Sequence, residues 1–388
     1  MNKRYLIIIT FLFCIGFNLE ATTQFGGKGL FYVNSANVIP KGYLESFTGI
    51  RYFGKVAGFG SDQKAYTLWN VRIVNSFNYG AGKNVEFAVT PIIYQDTNTK
   101  KGNAFNEKAN FIDDVLLSMK IGSFSMLESP YVFGGMIYFR LPTAKAHNII
   151  YEPYSAGKVE IGLNGLFSYF SNVAFPEESW SFHANLGYLN HNDVGKELTD
   201  DPSDITPESM SSELLIGIGI LYPAGTFDFS TELNASYFLS RPPETAYSRE
   251  SVSYLTAGLY YKPYQWLTLE MAMDLRLFSG KDLSVYSPET HLPPPPTEDF
   301  PNYPTWRGLL GVKIGILPTD LYATSTEASL KRKARDRRAI LEKMMEERKD
   351  TEDAESELSK IKAERQKVEE ELERLRKLLE TEKDKDKK

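Results

Sequence analysis

Residues 212–238 read SELLIGIGILYPAGTFDFSTELNASYF. In the first half Leu214, Ile216, Ile218, Ile220 and Tyr222 fall on one face of an extended chain, and Glu213, Leu215, Gly217, Gly219 and Leu221 on the other. In the second half Phe227, Phe229, Thr231, Leu233, Ala235 and Tyr237 oppose Asp228, Ser230, Glu232, Asn234 and Ser236. A period of two makes both runs β-strands, and Tyr222-Pro223-Ala224-Gly225 predicts the turn of a hairpin. Each run exceeds the roughly nine residues with which a tilted strand crosses a bilayer, whereas strands of soluble sandwiches usually hold about five or six. If the unit repeats, the expected fold is an all-β transmembrane antiparallel barrel with its apolar face in lipid.

The unit does repeat. Twelve alternating runs are predicted, at 43–53, 66–78, 85–95, 114–122, 131–141, 159–170, 180–190, 213–222, 227–238, 251–261, 266–278 and 306–316. Short connections at 80–83, 123–130, 171–179, 223–225 and 262–264 alternate with longer ones at 54–65, 96–113, 142–158, 191–212, 239–250 and 279–305. Short periplasmic turns, longer external loops and an even strand number are the pattern of bacterial outer-membrane barrels. With the first strand running outward, both ends of the barrel are expected in the periplasm. Trp180 and Trp266 then start strands at the short-turn rim, while Trp69 and Trp306 lie toward the loops, giving two interfacial girdles.

Composition agrees. Aromatic residues make up 13% of the 388 residues, yet mean hydropathy is only −0.32, as half-polar strands require. Residues 1–21 carry Lys3 and Arg4, then an apolar run and Glu20-Ala21-Thr22, and predict a secretory signal peptide too short to span as a helix. Its removal would take away Cys14, the single cysteine, and with it all thiol chemistry. Residues 22–40 are expected as a periplasmic entry segment, 41–317 as the barrel, and 318–330 as a linker. The net charge of −6 argues against a nucleic-acid surface.

Pro130-Tyr131-Val132-Phe133-Gly134, followed by Leu141-Pro142-Thr143, resembles the proline-started strand and Leu-Pro-Thr-Gly ending of bacterial outer-membrane channel-like barrels, a loose grouping that includes porins associated with aromatic-compound degradation. Ala144 stands where that signature has glycine. The resemblance implies the compartment and the barrel, and it transfers no substrate.

Opposite the apolar face the strands collect Glu45, Arg51, Arg72, Glu86, Asp114, Lys120, Arg140, Glu160, His183, Glu213, Asp228, Glu232, Glu270, Asp274, Arg276, Arg307 and Lys313. Charges facing hydrocarbon at the midplane cost about 2–4 kcal/mol each for Arg or Lys, so these are expected to line the lumen. Two readings stay open: the residues line an aqueous pore and set its ion preference, or acids and bases pair across a narrow lumen and block it. Twelve strands give a lumen between the side-chain-filled eight and the open sixteen, so size does not choose.

The chain is expected to be no enzyme and to need no cofactor or metal. His183 shares a strand face with Ser181 and Asn185, residue types that some outer-membrane phospholipases use, but one strand face is not a triad geometry. The acidic loop of Asp193, Glu197, Asp200, Asp201, Asp204 and Glu208 has oxygen ligands for Ca²⁺ but no matching spacing, and a solvated loop is the simpler reading. Pro293 to Pro296 form a stiff extended stretch, either an inert spacer or a contact over the mouth.

Residues 331–388 change character, to Lys, Glu, Arg and Leu without Pro, Gly or aromatics, and predict a long charged helix. Heptad spacing of Leu358, Arg365, Leu372 and Leu379 with Ile361, Val368 and Leu375 predicts a coiled coil. The partners this implies are outer-membrane lipid for the barrel and, for the helix, a second copy or a periplasmic partner. Function then divides between a passive or modestly selective channel for small hydrophilic solutes and a tether whose barrel anchors the periplasmic helix.

Overall fold

The computed structural model describes residues 23, 26–59, 65–100, 108–125, 129–145, 147–149, 152–173, 176–198, 206–279, 281–286, 302–318 and 345. The signal segment, the proline run and the carboxyl-terminal helix expected from the sequence lie outside the described residues. The chain divides at Ser325 into two units, and only the first is described in detail.

Among the described residues thirteen strands form: β1 (Leu44–Phe59), β2 (Ala65–Gly80), β3 (Val85–Lys100), β4 (Lys108–Phe111), β5 (Asp114–Ser125), β6 (Tyr131–Pro142), β7 (Glu160–Phe170), β8 (Ser181–Asn190), β9 (Ser212–Ala224), β10 (Phe227–Ser240), β11 (Val252–Tyr264), β12 (Leu267–Ser279) and β13 (Trp306–Leu317). Each long strand pairs antiparallel with its sequence neighbours, and β1 pairs with both β2 and β13, closing a twelve-stranded barrel. The short β4 is an addition the alternation did not predict; it pairs with the upper part of β3. The first three strands run 16 residues each, so most of the expected loop 54–65 is strand and only 60–64 connect β1 to β2.

The faces follow the alternation. Along β10, Phe227, Phe229 and Leu233 are exposed while Asp228, Ser230 and Glu232 are buried. The two hairpin turns sit further along the chain than the prolines suggest. Pro223 and Ala224 remain in β9, opposite Asp228 and Phe227, and the chain reverses at Gly225-Thr226, where Gly225 takes φ 72°. Likewise Pro263 stays in β11, and Tyr264 pairs with Leu267. A proline at the end of a strand gives up one donor where the ladder is already ending, so the rim tolerates it.

Aromatic rings gather on the outer surface near the short-turn rim. Tyr169 bridges Tyr131 and Trp180, at 5.6 and 5.2 Å between ring centroids, and Trp266 stacks on Tyr264 at 5.1 Å. At the other rim Trp306 packs edge-on against Tyr52 and Phe53. The apolar exterior between these rims is the surface a bilayer would cover. Ile218→Arg, in the middle of β9, is therefore expected to cost about 2–4 kcal/mol in a folding titration into lipid bilayers. The same change at the exposed loop residue Val194 should stay within about 0.5 kcal/mol.

Candidate functional site

The barrel is not lined only by wall side chains. Residues 26–40, expected as a periplasmic lead-in to the first strand, instead lie inside the lumen, where Leu30, Phe31, Val33, Ala36 and Ile39 are each at most 2% exposed. Gly29 and Asn34 form an isolated bridge, with Leu30 N–H donating to Val33 C=O at 2.8 Å and Ser35 N–H to Lys28 C=O at 3.0 Å, so the segment is a small loop rather than a strand of the sheet.

A segment outside the sheet and away from water needs acceptors for its backbone N–H groups. The inner wall supplies them. Phe31, Tyr32 and Val33 N–H all donate to the Glu232 carboxylate at 2.9 Å. Lys28 and Ile39 N–H donate to the two oxygens of Glu86, at 3.0 and 2.8 Å. Gly27 donates to Asn78 Oδ1 at 2.6 Å, Asn34 to Asn185 Oδ1 at 2.6 Å, Ala36 to Ser168 Oγ at 2.8 Å and Val38 to Ser123 Oγ at 3.0 Å. Asn185 returns its amide to Asn34 C=O, and Lys120 donates to Lys28 C=O.

Apolar packing completes the seal. Phe31 stacks on Tyr260 at 5.0 Å, with Ala272 and Leu309 around it. Ala36 packs into an inner patch of Leu116, Val132, Met136, Tyr138, Leu166 and Phe170, so one sector of the wall faces inward with apolar side chains. Two wall glycines make the close approach possible: a Cβ on Gly122 would sit 2.1 Å from Ala36 C=O, and one on Gly219 would sit 2.5 Å from Leu30 Cδ1. The space left between segment and wall near Ser181, His183 and Lys262 is a cavity of about 60 Å³.

The inward charges fall into two groups. Toward the short-turn rim Glu86 meets Lys120 at 3.2 Å, Asp228 meets Lys262 at 2.6 Å, and Lys313 lies 3.9 Å from Glu45. Glu270 is buried near them with no hydrogen bond to either carboxylate oxygen. Toward the long-loop rim a continuous chain crosses six strands. Asp114 of β5 holds Arg140 of β6 at 2.6 Å, and Arg140 reaches Glu160 of β7 at 3.5 Å. His191, just past β8, bridges Glu160 and Glu213 of β9 at 3.0 Å each, and Glu213 accepts from Ser236 of β10. Further round, Asp274 takes Arg307 at 2.6 Å together with Thr256 Oγ1 at 2.8 Å and the Tyr32 hydroxyl, and Arg276 donates to Tyr303 C=O. Arg51 and Arg72 face each other across β1 and β2.

The residues that would have suggested catalysis are otherwise engaged. His183 sits between Ser168 Oγ, 2.7 Å from Nδ1, and Ser181 Oγ, 3.0 Å from Nε2, while Asn185 is tied to the inserted segment. Asp193 accepts from Tyr154 Oη at 2.7 Å and Ser211 N–H at 2.8 Å, so it is a loop-fastening acceptor. Among the described residues no group of three or more His, Cys, Asp or Glu is placed to hold a metal ion. The Leu-Pro-Thr ending has a structural role: Thr143 donates its N–H to Asp114 Oδ1 and its hydroxyl to Asp113 C=O, fastening the top of β6 to β5.

Sequence reasoning missed the inserted segment, His191 and the loop fastenings. The run Gly26-Gly27-Lys28-Gly29 before Leu30-Phe31-Tyr32-Val33 was the available signal, because small residues ahead of an apolar cluster suit close approach to a wall. Over the mouth, Tyr247 N–H donates to Asn148 Oδ1, Arg249 to Leu283 C=O, and Ser284 to Ala246 C=O, knitting three loops together.

No family model matches the chain, and no curated protein matches its sequence. Solved structures do. An outer membrane channel from Pseudomonas putida F1 is 9% identical with a TM-score of 0.48, over 72% of this chain and 98% of that one. The NanC porin is 11% identical, TM-score 0.40, over 70% and 98%. The CymD monoaromatic hydrocarbon channel is 8% identical, TM-score 0.33, over 71% and 88%. The likeness is one of barrel form, at identities that carry no substrate across.

Two expectations follow from the geometry. Removing the acceptor of three backbone N–H groups in Glu232→Ala, or filling the contact in Gly122→Leu, should free the inserted segment. Each charge-assisted bond lost is worth about 1.5–3 kcal/mol, so tryptic cleavage after Lys28 should accelerate roughly tenfold or more while the barrel stays folded. The second concerns pH. Burial alone would depress His191, but the carboxylates of Glu160 and Glu213 outweigh it and hold the imidazolium up to about 10 from an ordinary 6.5. A folded-state value above the unfolded one stabilises fully below about 6.5, and that stabilisation is lost as pH rises through about 10. The detergent-solubilised chain should melt progressively lower across that window. His191→Gln should flatten the profile and cost about 3–5 kcal/mol at neutral pH, read by thermal unfolding.

Proposed function

We propose that this chain is a bacterial outer-membrane barrel acting as a passive, modestly selective channel for small hydrophilic solutes, closed at rest by its own residues 26–40. The short-turn rim then faces the periplasm and outer-membrane lipid covers the apolar belt. The observation that carries the reading is how the segment is held. Its polar contacts to the wall are mostly hydrogen bonds to side chains such as Glu232, Glu86 and Asn185, so it can leave without breaking a strand pairing. The wall it would uncover carries carboxylates, amides and hydroxyls suited to water.

The filled lumen favours a second reading from a different class. In it the barrel never conducts and serves as an anchor for residues 331–388, which bind a second copy or a periplasmic partner. Planar-bilayer recording separates the two. The channel reading expects the full chain to be quiet for most of the record and Glu232→Ala or Gly122→Leu to give sustained conductance. Silence in those variants, with tryptic cleavage after Lys28 showing the segment released, would overturn the channel and favour the anchor.

A further inference from the structure

The wall grips residues 26–40 through groups that every polypeptide carries. From Gly27 to Ile39 most backbone N–H groups donate to wall side chains, namely Glu232, Glu86, Asn78, Asn185, Ser168 and Ser123. Carbonyls are met as well: Lys120 Nζ donates to Lys28 C=O at 2.9 Å, Asn185 Nδ2 to Asn34 C=O at 2.8 Å, and Ser123 N–H to Ala36 C=O at 2.8 Å. The segment's apolar side chains add shape rather than donors. Phe31 stacks on Tyr260, and Leu30 and Val33 lie over the bare backbone of Gly219.

Glu232 shows what this wall is fitted to. It is fully buried, forms no ion pair with Lys or Arg among the described residues, and accepts instead from the N–H groups of Phe31, Tyr32 and Val33. Successive N–H groups turned to one carboxylate are the anion-binding concavity of a tight turn. When the segment leaves, a carboxylate without a base needs donors from whatever replaces it. Water offers them singly, whereas a peptide offers several at the spacing this wall already matches. Wall glycines complete the fit, because a side chain on Gly122 or Gly219 would collide with the segment. A surface that reads main-chain amides and leaves room for apolar side chains is a peptide site, filled here by the barrel's own chain.

We propose that the solutes this barrel takes are short peptides with an apolar side chain, held by their main-chain amides at Glu232, Glu86 and Asn185, and that residues 26–40 occupy their site at rest. Passage of the peptide rests on the channel reading; binding does not. The tether gives the segment an effective concentration on the order of millimolar, so a free peptide enters the parent barrel only above that level.

The test uses the full chain in detergent and a fluorescent peptide of residues 26–40. Gly29→Val frees the segment and leaves the wall intact, because the added Cβ would lie 2.5 Å from the segment's own Val33 C=O. Faster tryptic cleavage after Lys28 verifies the release. The probe should bind this variant roughly tenfold or more tighter than the parent. N-methylating its amides at positions 31–33, or adding Glu232→Ala to the protein, should weaken binding about a hundredfold or more. The unrelated tripeptide Ala-Phe-Ala should displace the probe and enter liposomes through the variant roughly tenfold faster than a sugar of similar size. Equal binding of the N-methylated probe, or no displacement by Ala-Phe-Ala, would overturn the proposal. If Gly29→Val does not fold, Phe31→Asp, also confined to the segment, takes its place. The parent gives an independent reading: Ala-Phe-Ala well above millimolar should speed cleavage after Lys28 about twofold or more, and unchanged cleavage is equally fatal. Displacement without influx or conductance would defeat the channel reading and leave the peptide site standing; conductance without displacement would do the reverse.

Discussion

The Glu232 carboxylate accepting three successive backbone N–H groups is the interaction on which the interior depends. A chain segment that enters a closed barrel leaves water but joins no ladder, so each of its N–H groups must find an acceptor on a wall already paired to itself. Carboxylate and amide side chains meet that need because one oxygen can serve a donor that the sheet cannot. Two acids that look like pore lining on a strand diagram, Glu232 and Glu86, are therefore backbone acceptors for Lys28, Phe31, Tyr32, Val33 and Ile39. Their neutralisation by Lys or Arg is incomplete for that reason: Glu232 accepts from the segment, and Glu86 divides its oxygens between the segment and Lys120.

The same constraint explains the uneven wall. Where the segment brings apolar side chains, the wall answers with Leu116, Met136, Leu166 and Tyr260 on its inner face or with glycine, and the polar-inside pattern breaks. Where the segment is absent, toward the loops, the wall neutralises itself by the chain from Asp114 through Arg140, Glu160 and His191 to Glu213. His191 is essential to the continuity of that chain, since it alone links the buried carboxylates of Glu160 on β7 and Glu213 on β9 across β8, and Arg140 reaches only Glu160.

Much of this was legible in the residues. The twelve long strands, their faces and the alternation of short and long connections follow from period-two patterning, because a lipid-facing wall cannot hide a misplaced charge. Strand ends were less legible. Pro223 and Pro263 read as turn residues and proved to lie within the last residues of β9 and β11 at a rim, where a missing donor costs little. Strands β1 to β3 extend past the expected span because pairing continues beyond the apolar stretch. The inward set, Glu45 through Lys313, could be named from alternation, but who meets whom could not, since partners such as Asp114 and Arg140 are set by register.

The sequence by itself determined the barrel, its outer face and the pool of charges turned inward, since each of these is a local consequence of alternation and hydropathy along single strands. Only the tertiary structure decided that residues 26–40 fill the lumen, that Glu232 and Glu86 hold them, and that Arg51 and Arg72 are left facing each other. Those outcomes rest on contacts between residues far apart in the chain, Phe31 and Glu232 being 201 positions apart, and no periodicity records which acceptor a returning backbone will find.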